Sequence, residues 1–337
     1  MPVRHKAAAE AGYIWRKVTD EAAFPGRDGA GALVYDGKMW LIGGWNPGDK
    51  KTNPIHSNCN NEVWNSADGA AWSLVKPNSH FDDRFDPASD WEARHTAGYA
   101  VYRDKMWIIG GDPLLGHYQF DVWNSADGRT WCRVNREDAP WGPRVLHYTV
   151  AFKDELWVMG GQTLPQFAPA DEIFYNDVWS SADGARWTRV LEHAPWSPRG
   201  MIGGAAVFKE RIWLIGGGTY ETASRPYGGY GEVWSSADGR TWDLHTKDVP
   251  WSPRVYHDVA VFDDKLWMME GQHVPGSKND GCASADVWFS ADGEHWQKLP
   301  ATPWARRHAA SVFVFQNALW MVAGNYMGRD VWKLTRK

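Results

Sequence analysis

A short apolar run ending in glycine recurs six times along the chain, at Met39–Gly44, Met106–Gly111, Leu156–Gly161, Ile212–Gly217, Leu266–Gly271 and Leu319–Gly324. Each copy is too short for an ordinary helix and is closed by glycine, which predicts a buried strand. The copies stand roughly fifty residues apart, the span of one four-stranded propeller blade. A second strand follows each, marked by Val-Trp at Trp64, Trp123, Trp179, Trp234, Trp288 and Trp332. In five copies a Ser-Ala-Asp-Gly segment comes next and leads to a further Trp. Asp-Gly accepts the positive φ angles of tight hairpins, so turns are predicted at Asp68-Gly69, Asp127-Gly128, Asp183-Gly184, Asp238-Gly239 and Asp292-Gly293.

The sixth copy runs from Trp332 to Lys337 with no turn and no fourth strand. At the other end, Tyr13–Val18 matches Ala185–Val190 in its Trp and Val positions, which predicts that the N-terminal strand completes the last blade. Such closure removes the exposed edges of an open array. The expected fold is all-β, a six-bladed β-propeller of four-stranded antiparallel blades. Residues 1–12 are a tail, and the blade cores span about 27–76, 94–135, 144–191, 199–245, 254–299 and 307–335 plus 13–19. Of the 24 Trp, all but Trp45 and Trp91 fall on three strand positions or in Pro-Trp loops, so they read as packing between blades rather than as a stacking surface.

From Tyr13 to Lys337 the double glycine and the following Trp, at blade spacing, resemble the kelch-repeat family. The Ser-Ala-Asp-Gly-x-x-Trp hairpin is similar to a shortened Asp-box of sialidases, a structural turn remote from their active site. At the level of fold, the chain resembles six-bladed kelch mutarotases or epimerases that act on sialic acid, although no catalytic motif of theirs matches residue by residue.

The repeat consumes the 337 residues and leaves no second domain in this sequence. A net charge of −5 without a basic run argues against nucleic acid. No segment is long and apolar enough for a membrane, and residues 1–12 lack the apolar stretch of an export signal, so a cytoplasmic monomer is expected; export with a signal already removed is the alternative. Cys59, Cys132 and Cys282 do not make a disulfide framework.

In such blades, with strands a to d counted outward, the a–b and c–d turns emerge on one face and the b–c and d–a connections on the other. Here the first face is uniform, whereas the b–c loops vary in length and content, which places function on the second. Arg27, Arg94, Arg144, Arg199, Arg254 and Arg307 stand near the start of the six innermost strands. One reading is a ring of guanidinium groups at the channel mouth that clamps an anion. The other is that each bonds backbone carbonyls or a carboxylate as part of the repeat.

Glu270 breaks the pattern by replacing the first glycine of the pair in blade five. With His257, Asp258, His273 and Arg254 it composes an acid, base and cation set in which Glu270 or His257 would move a proton and Arg254 would stabilise negative charge. The competing reading is a salt bridge from Glu270 to an arginine. His147, placed in blade three as His257 is in blade five, joins Gln162 and Gln272 as further candidate ligand contacts, while His95 and His308 directly follow an arginine. No metal or cofactor is expected, since His56, Cys59 and Cys282 would need two distant loops to meet. The expected function is binding, with isomerisation as a further step, of a small anionic ligand such as a sugar acid; the alternative is a module gripping an acidic peptide. A copper-radical oxidase fares worst, since it needs a Tyr to Cys crosslink and histidine ligands partly from sequence beyond the propeller, and an iron-dependent specifier protein needs a Glu-x-x-x-Asp-x-x-x-His run that is absent.

Overall fold

The computed structural model describes residues 12–48, 59–112, 114–135, 137–274 and 282–337; His56, the tail to Ala11, parts of three variable loops and residue 136 lie outside them. Six four-stranded antiparallel sheets surround a central channel. In blade one the strands are Gly31–Tyr35, Lys38–Ile42, Val63–Ser66 and Ser73–Lys76, paired in that order. In blade six, Ser311–Phe315, Ala318–Val322 and Val331–Arg336 are joined by Tyr13–Thr19 as outermost strand, with Trp15 opposite Leu334.

The a–b turns are two-residue hairpins in which both residues have positive φ, as type I′ geometry demands. Asp36-Gly37 suits this, and Arg103-Asp104, Lys153-Asp154, Lys209-Glu210, Asp263-Asp264 and Gln316-Asn317 adopt it too. At the c–d turns, Ser66 Oγ accepts the Gly69 amide at 2.8 Å, and Asp68 Oδ1 accepts those of Ala70 and Ala71 at 2.8 and 2.9 Å. These amides hold the Asp68 carboxyl below its ordinary range. Asp68→Ala should therefore cost about 1–2 kcal/mol in a urea-unfolding midpoint, since bonds to a charged acceptor are lost; an unchanged midpoint would show the turn to be held by Ser66 alone.

Glycine at this turn serves the neighbouring blade as well. A Cβ on Gly69 would lie 2.2 Å from the ring of Trp320, and Gly128, Gly184, Gly239 and Gly293 meet Trp40, Trp107, Trp157 and Trp213 in the same way. The strand-b Trp of each blade thus packs beneath the turn of the next. Blade six has no such turn, and there Tyr13 covers Trp267 edge-on with ring centroids 4.9 Å apart.

Trp91 belongs to the same architecture, contrary to the expectation from the repeat. It meets Trp131 edge-on, as Trp141 meets Trp187, Trp196 meets Trp242, Trp251 meets Trp296 and Trp304 meets Trp15; Phe24 on Trp72 completes the six. Apolar clusters lie at the six blade junctions, for example Ile42, Val63, Ile108 and Trp123 between blades one and two. A further cluster of Tyr118, Val145, Leu146, Met201, Val255 and Tyr256 lies on the variable-loop face.

Candidate functional site

All six arginines are buried, each 0–1% exposed. Each donates through Nη1 to the carbonyl closing strand b of its own blade: Arg27 to Gly43 at 2.8 Å, Arg94 to Gly110 and Arg144 to Gly160 at 2.9 Å. Arg199 reaches Gly216 and Arg254 reaches Glu270 at 3.0 Å, and Arg307 reaches Ala323 at 2.9 Å. Each also pairs with an acid two residues before the strand-c Trp, namely Glu62, Asp121, Asp177, Glu232, Asp286 and Asp330. That acid in turn accepts the Trp indole N–H, as Asp121 does from Trp123 at 2.6 Å. A guanidinium in a low-dielectric wall requires such partners. The arginines are internal braces of the blades and do not form a ring open to ligand.

The histidines expected to act are likewise occupied. His257 Nε2 donates to the Ile215 carbonyl of the preceding blade at 2.8 Å, and His147 Nε2 to that of Ile109 at 3.0 Å. Burial lowers their pKa to about 4 and about 3, which keeps both imidazoles neutral. His273 is buried in a two-stranded ladder opposite Arg254, and Gln162 Oε1 accepts the Tyr220 amide at 3.1 Å. Gln272 alone of the expected contacts lines the axial cavity described below.

Glu270 is fully buried at φ +53, where the other blades have Gly43, Gly110, Gly160, Gly216 and Ala323. It does not pair with Arg254, which takes its backbone carbonyl instead. Both of its carboxyl oxygens and Asp258 Oδ2 are buried without a hydrogen-bond partner; burial raises Glu270 well above the usual carboxyl range, the neighbouring Asp258 adds to this, and burial raises Asp258 to about 7. Asp258 faces the central channel, a cavity of about 190 Å³ also lined by His147, Gly31, Gly98 and Gly203. The room for Glu270 has a local cause. Gly110 and Gly216 are met by the rings of His147 and His257 from the following blade, whereas the matching position beyond Glu270 is Ala310.

On the variable-loop face a cavity of about 360 Å³ opens on the axis. One wall is aromatic, with Phe167, Tyr220, Tyr227 and Tyr256 from blades three to five; Trp45 and Leu114 stand on the loops of blades one and two. Trp45 is thus the tryptophan outside the packing scheme that meets open space. The polar groups of the cavity are Asp28, His95, Thr96, Gln272 and His308, with no lysine or arginine among the lining residues. Asp28 Oδ1, Thr96 Oγ1 and His308 Nδ1 are buried without a hydrogen-bond partner, and burial pushes Asp28 up to about 6 against the pull of His95. His308 stacks on Tyr256 with centroids 5.1 Å apart.

Beside Asp28 three further groups converge that spacing along the sequence did not bring together. Cys59 Sγ lies 3.3 Å from Asp112 Oδ2 and 3.7 Å from His95 Nδ1, while His95 and Asp112 are in direct contact. Asp112 outweighs burial and raises the His95 pKa; burial, then Asp112, raise that of the Cys59 thiol. Cys282 is exposed and takes no part.

No protein-family model matches the chain. Kelch repeat protein M-T8 of myxoma virus (strain Lausanne) is 24% identical over 217 residues, 63% of this chain and 35% of that protein. The solved structure of YjhT superposes with a TM-score of 0.68 at 16% identity, covering 93% of this chain and 95% of that one. The chain is a kelch-repeat propeller. A second sequence relative of this kelch propeller is the leucine-zipper-like transcriptional regulator 1 homolog of Drosophila melanogaster, 27% identical over 260 residues, 71% of this chain and 24% of that protein. The kelch chain therefore spans only about a quarter to a third of the length of these curated relatives, and YjhT bears on its fold alone. Among the described residues no helix is long and apolar enough to cross a membrane.

Proposed function

We propose that this propeller is a binding protein whose axial cavity takes a small ring-bearing ligand that offers hydrogen-bond donors and carries no negative charge. The observation that supports this reading most is the character of the lining: an aromatic wall faces unpaired acceptors, with a carboxyl group at Asp28, no lysine or arginine, and the His95 imidazole already engaged by Asp112. An aromatic face favours rings and cations, and an unpaired buried acceptor is relieved by a donor from the ligand. A volume of about 360 Å³ is of the size that small-molecule sites have. A sugar acid or an acidic peptide, expected from the arginines, finds no free lysine or arginine here, because every one of those arginines already has its acid and His95 is taken by Asp112.

Thermal-shift screening should therefore favour neutral pyranosides and aryl or alkyl amines over the corresponding acids, since a ligand that binds only the native state raises the melting temperature. Tyr220→Ala should weaken a hit about tenfold or more, in line with loss of an aromatic contact. Preferential stabilisation by acids, or affinity unchanged in a folded Tyr220→Ala protein, would overturn the reading.

A second reading has its own support. Leu114, Ile173 and Tyr326 are 38–42% exposed on loops of the same face, a rim suited to a peptide that inserts a ring or an amine into the cavity. Substituting Ile173 and Tyr326, which lie outside the cavity lining, by serine would then weaken a peptide and leave a small ligand untouched.

A further inference from the structure

We propose that Cys59, His95 and Asp112 bind a divalent transition-metal ion of the zinc type at the edge of the axial cavity, leaving a fourth coordination position for water or for a ligand in the cavity. The three side chains offer a soft thiolate, an imidazole and a carboxylate, a set that suits zinc and its neighbours and not calcium or magnesium. Three protein ligands with one position open is the arrangement of zinc sites that act on bound molecules. The Sγ to Oδ2 and Sγ to Nδ1 separations are 3.3 and 3.7 Å. Bonds of 2.0–2.3 Å in tetrahedral geometry place ligand atoms about 3.3–3.8 Å apart, which these two separations match; the third pair, His95 Nδ1 and Asp112 Oδ2, is in direct contact and must part by side-chain rotation for both to reach one ion.

The blades supply an internal comparison. His308 and Asn325 in blade six occupy the positions of His95 and Asp112, and the His308 amide donates to Asn325 Oδ1 at 2.8 Å, as the His95 amide does to Asp112 Oδ2. Holding this loop needs only an amide side chain. A carboxylate there, and a thiol where blade two has Tyr118 and blade six Met327, are beyond what the architecture requires.

Charge balance points the same way. Asp112 is fully buried and Asp28 is 8% exposed, with Asp28 Oδ1 lacking any hydrogen-bond partner. The acid before each strand-c Trp is matched to an arginine, but Arg94, the arginine nearest in sequence, is committed to Asp121 and so does not reach Asp112 or Asp28. Two carboxyl groups, a thiol and a single imidazole in an apolar recess form a set that a dication would neutralise. Asp28, unpaired beside the three ligands, would accept a hydrogen bond from a metal-bound water.

The deciding experiment is titration of the metal-stripped full chain with Co²⁺. The wild type should bind one equivalent, with intense visible bands of tetrahedral cobalt and a near-ultraviolet thiolate charge-transfer band, and Zn²⁺ should displace the cobalt. Cys59→Ser should abolish the charge-transfer band, whereas Cys132→Ser and Cys282→Ser should keep it. Asp112→Asn, which copies blade six, should fold normally and bind at least about tenfold more weakly. Absence of stoichiometric cobalt uptake by the wild type, or a charge-transfer band that survives Cys59→Ser, overturns the proposal even if a variant is unstable. Ligand binding to the metal-stripped protein is measured separately, so this site and the cavity reading fail independently.

Discussion

Arg94→Met is expected to lower the unfolding free energy by about 3–5 kcal/mol, the cost of leaving a buried acid without its counter-ion. In the wild type Arg94 reaches Asp121 at 2.6 and 3.1 Å, the Gly110 carbonyl at 2.9 Å and the Glu92 carbonyl at 3.0 Å, and is itself fully buried. Methionine fills part of the space and satisfies none of these acceptors. Arg94 holds Asp121 below the ordinary carboxyl range even though burial opposes it, so the variant's Asp121 should titrate higher. Replacing Asp121 as well, by asparagine, should return part of the lost stability, because the uncompensated charge goes. Urea unfolding followed by tryptophan fluorescence measures all three. A loss below about 1 kcal/mol for the single variant would mean that the pair is solvated like a surface salt bridge and does not brace the blade.

Glu270→Gly should do the opposite and stabilise the protein, by about 1–3 kcal/mol at neutral pH. Two costs disappear: a non-glycine residue held at φ +53, and a carboxyl group buried with only another carboxyl to meet. The pH dependence separates them. Unfolded carboxyl groups titrate near about 4, whereas in the folded chain Asp258 keeps its proton up to about 7 and Glu270 beyond that. Across that interval the folded state binds more protons than the unfolded one, so wild-type stability falls as pH rises. In both Glu270→Gly and Glu270→Gln that slope should shrink to the part that Asp258 owes to its own burial, while only Glu270→Gln keeps the strained backbone. A Glu270→Gly protein less stable than wild type at pH 7 would show the carboxyl pair to be a net brace.

Repetition made the fold readable and hid part of the site. A strand such as Met106–Ile109 is identified by its five siblings, and the closing role of Tyr13–Thr19 by the gap in the sixth copy. The same logic could have retired the arginine ring, because Glu62, Asp121, Asp177, Glu232, Asp286 and Asp330 recur as faithfully as the arginines, always two residues before the strand-c Trp. A cation and an anion that repeat together are partners. Glu270 stands out as a break in the pattern and Asp258 falls in the same set, but that Asp258 replaces Gly31, Gly98 and Ser311 of other blades at the first position of strand a is visible only once the register is known. Cys59, His95 and Asp112 come from three loops of unequal length, and only the ring geometry that seats blade one against blade two brings them within reach. Tyr220, Tyr227 and Tyr256 share a wall for the same reason.

The seam in blade six has a consequence for how the chain is made. Tyr13–Thr19 leaves the ribosome before every other strand of the ring, yet its partner Val331–Arg336 is the last strand of the ring to be made. At ordinary elongation rates the early strand waits roughly 15–60 s for it. During that interval the nascent ring is an open arc with an unpaired strand at one end and the face of Trp267, later covered by Tyr13, at the other. Two such arcs on neighbouring ribosomes could exchange N-terminal strands, so the closing strand that seals a single ring is also the element through which two unfinished copies would become entangled.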